Sequence, residues 1–343
     1  MFNKKLLLIL LVVSLVAVGA LAQLKVGVVF ATGGLGDRSF NDSGFEGVKK
    51  AEKELGIAFD YVEPQSVAEF ESHQRAFAQS GKYDLIICFG FDQADAMKKV
   101  SAEYPKQKFV IIDSNEVTAD NVAAISFKNH EKTFLVGALA SMLTVDTKDF
   151  KQMNSPAKIG VVGGMDIPLI NSLVAGYAAG AKYINPKADV YIAYVGAWND
   201  PAKAKELALS MYNRGADIVY QAAGGSGLGV FKAAKQVNKY AIGTDTNQNY
   251  IEPNNILFSA VRRMDNVIFD QIEAAVKGQW KGGIYNLGLK EKAVDFAVEQ
   301  SNLKISKAMI DKVEALRAKI IAGEIVEPEK LEDVDAFLKT VKK

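Results

Sequence analysis

The feature that most narrows the possible folds is an alternation that runs, stops and starts again. Short apolar runs at 25–30, 58–62, 85–89 and 109–112 are separated by segments with helical periodicity, and a second series follows at 159–162, 190–195, 218–221 and 240–243. Nearly continuous apolar strands joined by helices predict parallel sheets covered on both faces. In the first helix, Phe40, Gly44, Val48, Ala51 and Leu55 recur at spacings of three and four, which defines one buried stripe. Two such series in 343 residues predict an α/β chain of two lobes. The runs at 122–127 and 256–261 read as strands crossing between the lobes, with no long flexible linker. Residues 23–127 with about 256–290 are therefore expected in the first lobe, and 128–255 with about 291–343 in the second.

The first 22 residues stand apart from this pattern. Lys4 and Lys5 precede an apolar run from 6 to 18, and Ala20, Leu21 and Ala22 give the small-x-small pattern of a cleavage site, so residues 1–22 read as an export signal. No later stretch approaches the roughly 18 uninterrupted apolar residues of a membrane span, and the mature chain is expected to be soluble. The formal charge of +1 includes Lys4 and Lys5, and no basic block occurs elsewhere, which argues against nucleic acid as a partner. The single cysteine, Cys88, lies in an apolar run far from the signal boundary. It is expected to be a buried core residue, neither a disulfide partner nor the lipid-bearing first residue of a lipoprotein.

In open α/β sheets the ligand crevice lies beyond the carboxyl ends of the strands, so two facing sheets predict a clamshell. The turn after the first strand, ATGGLGDRSFNDSGFEG at 31–47, is the richest of these ends. Its glycines permit close backbone approaches, while Asp37, Ser39 and Asn41 bring polar groups to the helix start and Phe40 adds a flat apolar face. Phe40 also falls on the apolar stripe of its helix, so a core role is equally open. Trp198 follows a strand of the second series and is expected on the opposite wall. Asp200 before Pro201 reads as a helix cap with proline at N1. Asp113 and Asp245 end strands at matching positions in the two series, and Arg262, just past the return crossing, is suited to stabilise them. The Gly-rich turn at 222–229, which includes Gly225, suits either a phosphate or backbone donation to a neutral ligand.

Enzyme signatures are sparse. The only histidines, His73 and His130, lack metal-ligand spacing, and neither a G-x-S-x-G elbow nor a phosphate-binding Walker loop occurs. Gly34, Gly36 and Ser39 only approximate a dinucleotide fingerprint. No cofactor, metal or catalytic residue is expected.

Three ordered motifs carry a resemblance: SFNDSGFEG at 39–47, GGMDIPLI at 163–170 with AGYAAGA at 175–181, and AAGGSGLGVF at 222–231. The chain resembles the basic membrane protein family, purine-nucleoside receptors of ABC transporters, from about Leu24 onward. The resemblance implies a type I periplasmic-binding-protein fold with a nucleoside held at the hinge. It also implies a base stacked between Phe40 and Trp198, with Asp113, Asp245 and Arg262 binding the rest. Ala31 stands where many members carry an acidic residue, Arg262 where lysine is usual, and Trp198 where phenylalanine is more typical. The family's lipid-bearing cysteine is absent.

The expected function is that of an exported, monomeric, non-enzymatic receptor in the periplasm or at the cell surface. It would deliver a purine nucleoside to a membrane permease, using Phe40, Asn41, Asp113, Trp198, Gly225, Asp245 and Arg262. A receptor for a sugar or a riboflavin-like ring-polyol, and an exported nucleoside hydrolase, are the alternatives.

Overall fold

The computed structural model describes residues 23–153 and 156–341; the expected export signal lies outside them. Two six-stranded sheets account for the strands. The first sheet contains β1 (Lys25–Val29), β2 (Ala58–Val62), β3 (Leu85–Phe89), β4 (Lys108–Ile112) and β5 (Val122–Phe127). The second contains β6 (Lys158–Gly163), β7 (Asp189–Tyr194), β8 (Ile218–Ala222), β9 (Tyr240–Asp245) and β10 (Ile256–Arg262). Two later strands complete them, β11 (Gly283–Leu287) beside β5 and β12 (Val294–Ala297) beside β10. All pairings are parallel except β10 with β12.

Strand side chains alternate between two helical layers. Val26 and Val28 face the core shared with Val48 and Ala51 of α1 (Phe40–Leu55), whereas Val29 faces Phe70 of α2 (Phe70–Ser80) and Met97 of α3 (Ala94–Glu103). Cys88 belongs to that second layer and is fully buried. In the other lobe α4 (Asn129–Leu143) and α5 (Pro168–Ile184) cover one face, and α6 (Pro201–Asn213) and α7 (Leu228–Gln236) the other. Every residue of α4 is buried.

Glycine makes the α4–α5 contact possible. A Cβ on Gly137 would fall 2.0 Å from the Tyr177 carbonyl oxygen, and one on Gly180 would fall 1.9 Å from that of Phe134. The AGYAAGA stretch is thus a helix-packing surface, remote in role from any ligand.

The return crossing differs from expectation. Residues 256–261, expected with the first lobe, form β10 of the second sheet, where β9 and β12 satisfy both of the strand's edges. The chain returns only at α8 (Met264–Val276), which packs on α1. Three segments therefore cross between the sheets: around Lys128, around Arg263, and between β11 and β12. They are tied in pairs, since Lys128 N–H donates to the Leu287 carbonyl (2.9 Å) and Arg263 N–H to that of Ala293 (2.9 Å).

Candidate ligand-binding site

The carboxyl ends of the two sheets face one cleft, partly open to solvent, with about 710 Å³ of empty space between its walls. Phe40, Asn41, Asp113, Trp198, Gly225, Asp245 and Arg262 all line it. The seven residues singled out from sequence are brought together, although their local partners differ from one to the next.

The floor is a buried charge cluster. Arg262 Nη1 donates to both oxygens of Asp113 (2.9 and 2.8 Å), while its Nε donates to Asp245 Oδ1 (2.6 Å). Asp113 follows β4 and Asp245 ends β9, and both adopt φ of +64°, a region that non-glycine residues rarely enter. Such conformations cost of order 1–3 kcal/mol each and persist where surrounding structure over-determines them. Here the left-handed turn aims each carboxylate at one guanidinium. The guanidinium carbon also lies 5.0 Å from the Phe40 ring centroid and 5.5 Å from that of Phe127, in cation–π range. Burial alone would raise the Asp245 carboxyl, but Arg262, Lys132 and the Ser39 hydroxyl outweigh it and hold it below its usual range.

The first-lobe wall is polar. Asp37 caps α1 from two residues ahead of Ser39, the residue before the helix: its carboxylate accepts from the N–H groups of Ser39, Asn41 and Asp42 and from the Asn41 side chain (2.8–3.2 Å). Burial nevertheless pushes its pKa up to about 6. The other end of the Asn41 amide accepts from Ala31 N–H (3.1 Å). Asn41 therefore shapes the turn as well as lining the cleft. Phe40, half-buried, meets Phe89 edge-on at 6.0 Å.

The second-lobe wall is apolar. Leu169, Ile170 and Leu173 from the start of α5 line it with Trp198. The indole lies against Gly164, where a Cβ would fall 2.3 Å from Cζ3. The Gly-rich turn braces this residue from behind: Ser226 N–H donates to the Trp198 carbonyl (2.8 Å), and Ser226 Oγ bonds the Ala197 carbonyl and Asp200 N–H, both at 2.8 Å. One N–H that a phosphate would use is therefore occupied. Asp200 Oδ1 accepts from Lys203 N–H (2.9 Å), as expected of a cap before Pro201.

Several groups escaped the sequence reading. Lys132 on α4 is fully buried, its Nζ 4.0 Å from Asp245 Oδ1 and without a hydrogen-bond partner. Burial, with Arg262 adding to it, pulls its pKa down to about 7. Gln248 accepts from Gln221 and from Thr244 N–H (both 2.7 Å) and donates to the Arg38 carbonyl across the cleft (2.8 Å). Asp92 also lines the cleft. His73 and His130 do not; they lie near surface or hinge glutamates at 3.6–3.8 Å.

The lobes are closed. Ser39 Oγ donates to Asp245 Oδ2 (2.6 Å) and Thr246 Oγ1 to the Arg38 carbonyl (3.1 Å), both between lobes. With the Gln248–Arg38 bond above, the Arg262–Asp113 pair makes a fourth link.

Two parallel-sheet lobes, three hinge crossings and a cleft at facing strand ends define a solute-binding protein of the type I periplasmic class. The chain belongs to the Bmp family of PnrA-like ABC transporter substrate-binding proteins, whose model matches residues 24–330. The "ABC transporter nucleoside-binding protein BmpA" of Lactococcus lactis subsp. cremoris is 32% identical, covering 90% of this chain and 90% of that protein. An uncharacterized lipoprotein of Pyrococcus abyssi is 32% identical, covering 94% of this chain and 88% of the relative. Among solved structures, an ABC transporter solute-binding protein from Aeropyrum pernix superposes with a TM-score of 0.83 at 31% identity, covering 92% of this chain and 98% of that one.

Proposed function

We propose that the chain is an exported receptor that captures a purine nucleoside between its lobes and presents the closed form to an ABC transporter permease. The observation that carries the reading is the pairing of unlike walls over a charged floor. Aromatics from both lobes, Phe40 and Phe91 from the first and Trp198 from the second, line the same cleft as Asp113, Asp245 and Arg262. A flat ring suits Phe40 and Trp198, and vicinal hydroxyls suit carboxylates anchored on a guanidinium. The printed name of the Lactococcus relative supports the ligand class. In this reading Asn41 and Gly225 act mainly by shaping the walls, and the receptor works as a monomer without catalysis.

Export without an acyl anchor is part of the same proposal. The Pyrococcus abyssi relative is named a lipoprotein, yet the only cysteine here is buried in β3. Fractionation of the expressing cell tests this, with the protein expected in the soluble exported fraction.

Titration calorimetry with adenosine, guanosine, inosine, riboflavin and ribose tests the ligand class. Saturable heat with nucleosides and none with ribose is expected; silence with all three nucleosides overturns the proposal. Incubation with inosine is expected to release no free base, and release would convert the receptor into a hydrolase.

A further inference from the structure

Four carboxylates line the cleft: Asp37, Asp92, Asp113 and Asp245. Three are answered by the protein's own donors. Asp37 holds the start of α1, and Asp113 and Asp245 hold Arg262. Of the four, only Asp92 receives no donor from another described residue; its one partner is its own backbone N–H. Burial, with the charge of Asp113 adding to it, pushes its pKa up to about 6. That direction is expected of an acceptor that lacks donors.

The turn carrying Asp92 is rigid. Its neighbour Gln93 is fully buried and donates to the carbonyls of Phe89 (2.8 Å), Val29 (3.0 Å) and Phe30 (3.3 Å), while accepting from Gln74 (2.9 Å). These bonds tie the turn to the ends of β1 and β3. Gly90, at φ +112°, lets the side chain fold back: a Cβ there would fall 2.7 Å from Asp92 Oδ1 and 3.5 Å from the Ala31 methyl. Ala31 and Phe91 line the same wall of the cleft as this carboxylate. A polyol needs several polar partners, which cluster instead at the floor around Arg262. A ring edge with adjacent N–H groups needs one acceptor-only group between apolar flanks.

We propose that Asp92 is a specificity-determining residue of the cleft, accepting hydrogen bonds from paired N–H donors on the edge of a purine such as guanine. This rests on the nucleoside reading above. An ionised carboxylate there favours guanosine and inosine, whose ring nitrogen carries a proton, and disfavours adenosine, which presents a bare ring nitrogen beside its amino group.

Calorimetry on the full chain and its Asp92→Asn and Asp92→Ala variants, each with guanosine, inosine, adenosine and 2′-deoxyguanosine, tests it. The expected result is a loss of roughly 10- to 100-fold for guanosine and inosine in Asp92→Asn, the range for hydrogen bonds to a charged group. Adenosine is expected to be unchanged or improved, because the amide offers one donor and one acceptor. Asp92→Ala should lose the preference without gaining adenosine. Equal losses for every base that vanish with the deoxy sugar would move Asp92 to the ribose and overturn the assignment. Unchanged affinities in a wild type that binds nucleosides would overturn it alone, whereas a wild type that binds no nucleoside overturns both readings.

Discussion

The two lobes meet the cleft with the same architecture and opposite chemistry. After β4 and after β9 the chain makes the same left-handed aspartate turn, and both turns converge on Arg262. Beyond that shared device, the first lobe lines the cleft with Asp37, Asn41 and Asp92 beside Phe40 and Phe91, and the second with Leu169, Ile170, Leu173 and Trp198. Duplicated topology fixes where a cleft lies, and local turns decide what it contacts. Under the proposed function, the polar wall would read ligand edges, the apolar wall would supply contact area, and the floor would couple ligand to closure, because Asp113 and Arg262 come from different lobes.

The strongest way to break this division is to remove the common floor. Arg262→Met leaves Asp113 without its cation and Asp245 with only Lys132 at 4.0 Å, and an orphaned buried charge costs about 3–5 kcal/mol. Denaturant unfolding should register that loss. Adding Asp113→Asn and Asp245→Asn is expected to restore much of it, because asparagine tolerates the left-handed turn and needs no counter-charge. No recovery would mean that Arg262 acts through packing on Phe40 and Phe127.

Lys132 sharpens the view of the floor from below. Its pKa falls from 10.5 to about 7 in the folded chain. Between those values the unfolded chain holds a proton that the folded chain does not, so stability should rise as pH increases from about 7 toward 10.5. Below pH 7 the penalty is fully present. Lys132→Met is expected to flatten that slope and to stabilise the protein at pH 6 in thermal melts. Strong destabilisation at pH 6 would instead make Lys132 a needed counter-ion of Asp245.

The apolar wall is probed by two substitutions that should agree. Trp198→Ala is expected to lose about 1–3 kcal/mol of nucleoside affinity if the indole stacks a base. Gly164→Ala keeps the indole but drives a methyl into it, 2.3 Å from Cζ3 in the present arrangement. A loss in the first variant without one in the second would mean that the ring re-seats freely, and that area alone, rather than its orientation, matters.

Much of this was legible in the chain. The strands β1 to β9 coincide with the runs read from sequence; most do so because buried parallel strands are apolar on both faces, while β2 and β7, at the sheet edges, are only partly buried. Trp198, Asp113 and Asp245 stood out because each ends such a run. The edge strands β11 and β12 were not legible: GIYNL and VDFA are largely half-exposed or exposed, and only pairing with β5 and β10 makes them strands. Placing β10 with the first lobe failed for a related reason, since an apolar run says that a strand is buried without saying in which sheet. Lys132 sits in the polar-looking start of a helix that is buried throughout, so no periodicity marked it. Leu169, Ile170 and Leu173 were hidden differently, because aliphatic residues at a helix start read as core whether they face the sheet or a cleft.

The smallest expected effect concerns closure itself. Thr246, on the turn after β9, donates from an exposed hydroxyl to the Arg38 carbonyl of the opposite lobe at 3.1 Å. That bond exists only when the lobes meet, so Thr246→Val, nearly isosteric, should leave the unfolding of either lobe unchanged while weakening the closed form. A neutral hydrogen bond is worth about 0.5–1.5 kcal/mol, and a ligand that binds only the closed form loses that amount of affinity. Calorimetry should therefore find a modest, ligand-independent drop, equal for guanosine and inosine. A drop that differs between the two would mean that the turn contacts the base, and would move part of the specificity from the polar first lobe to the second.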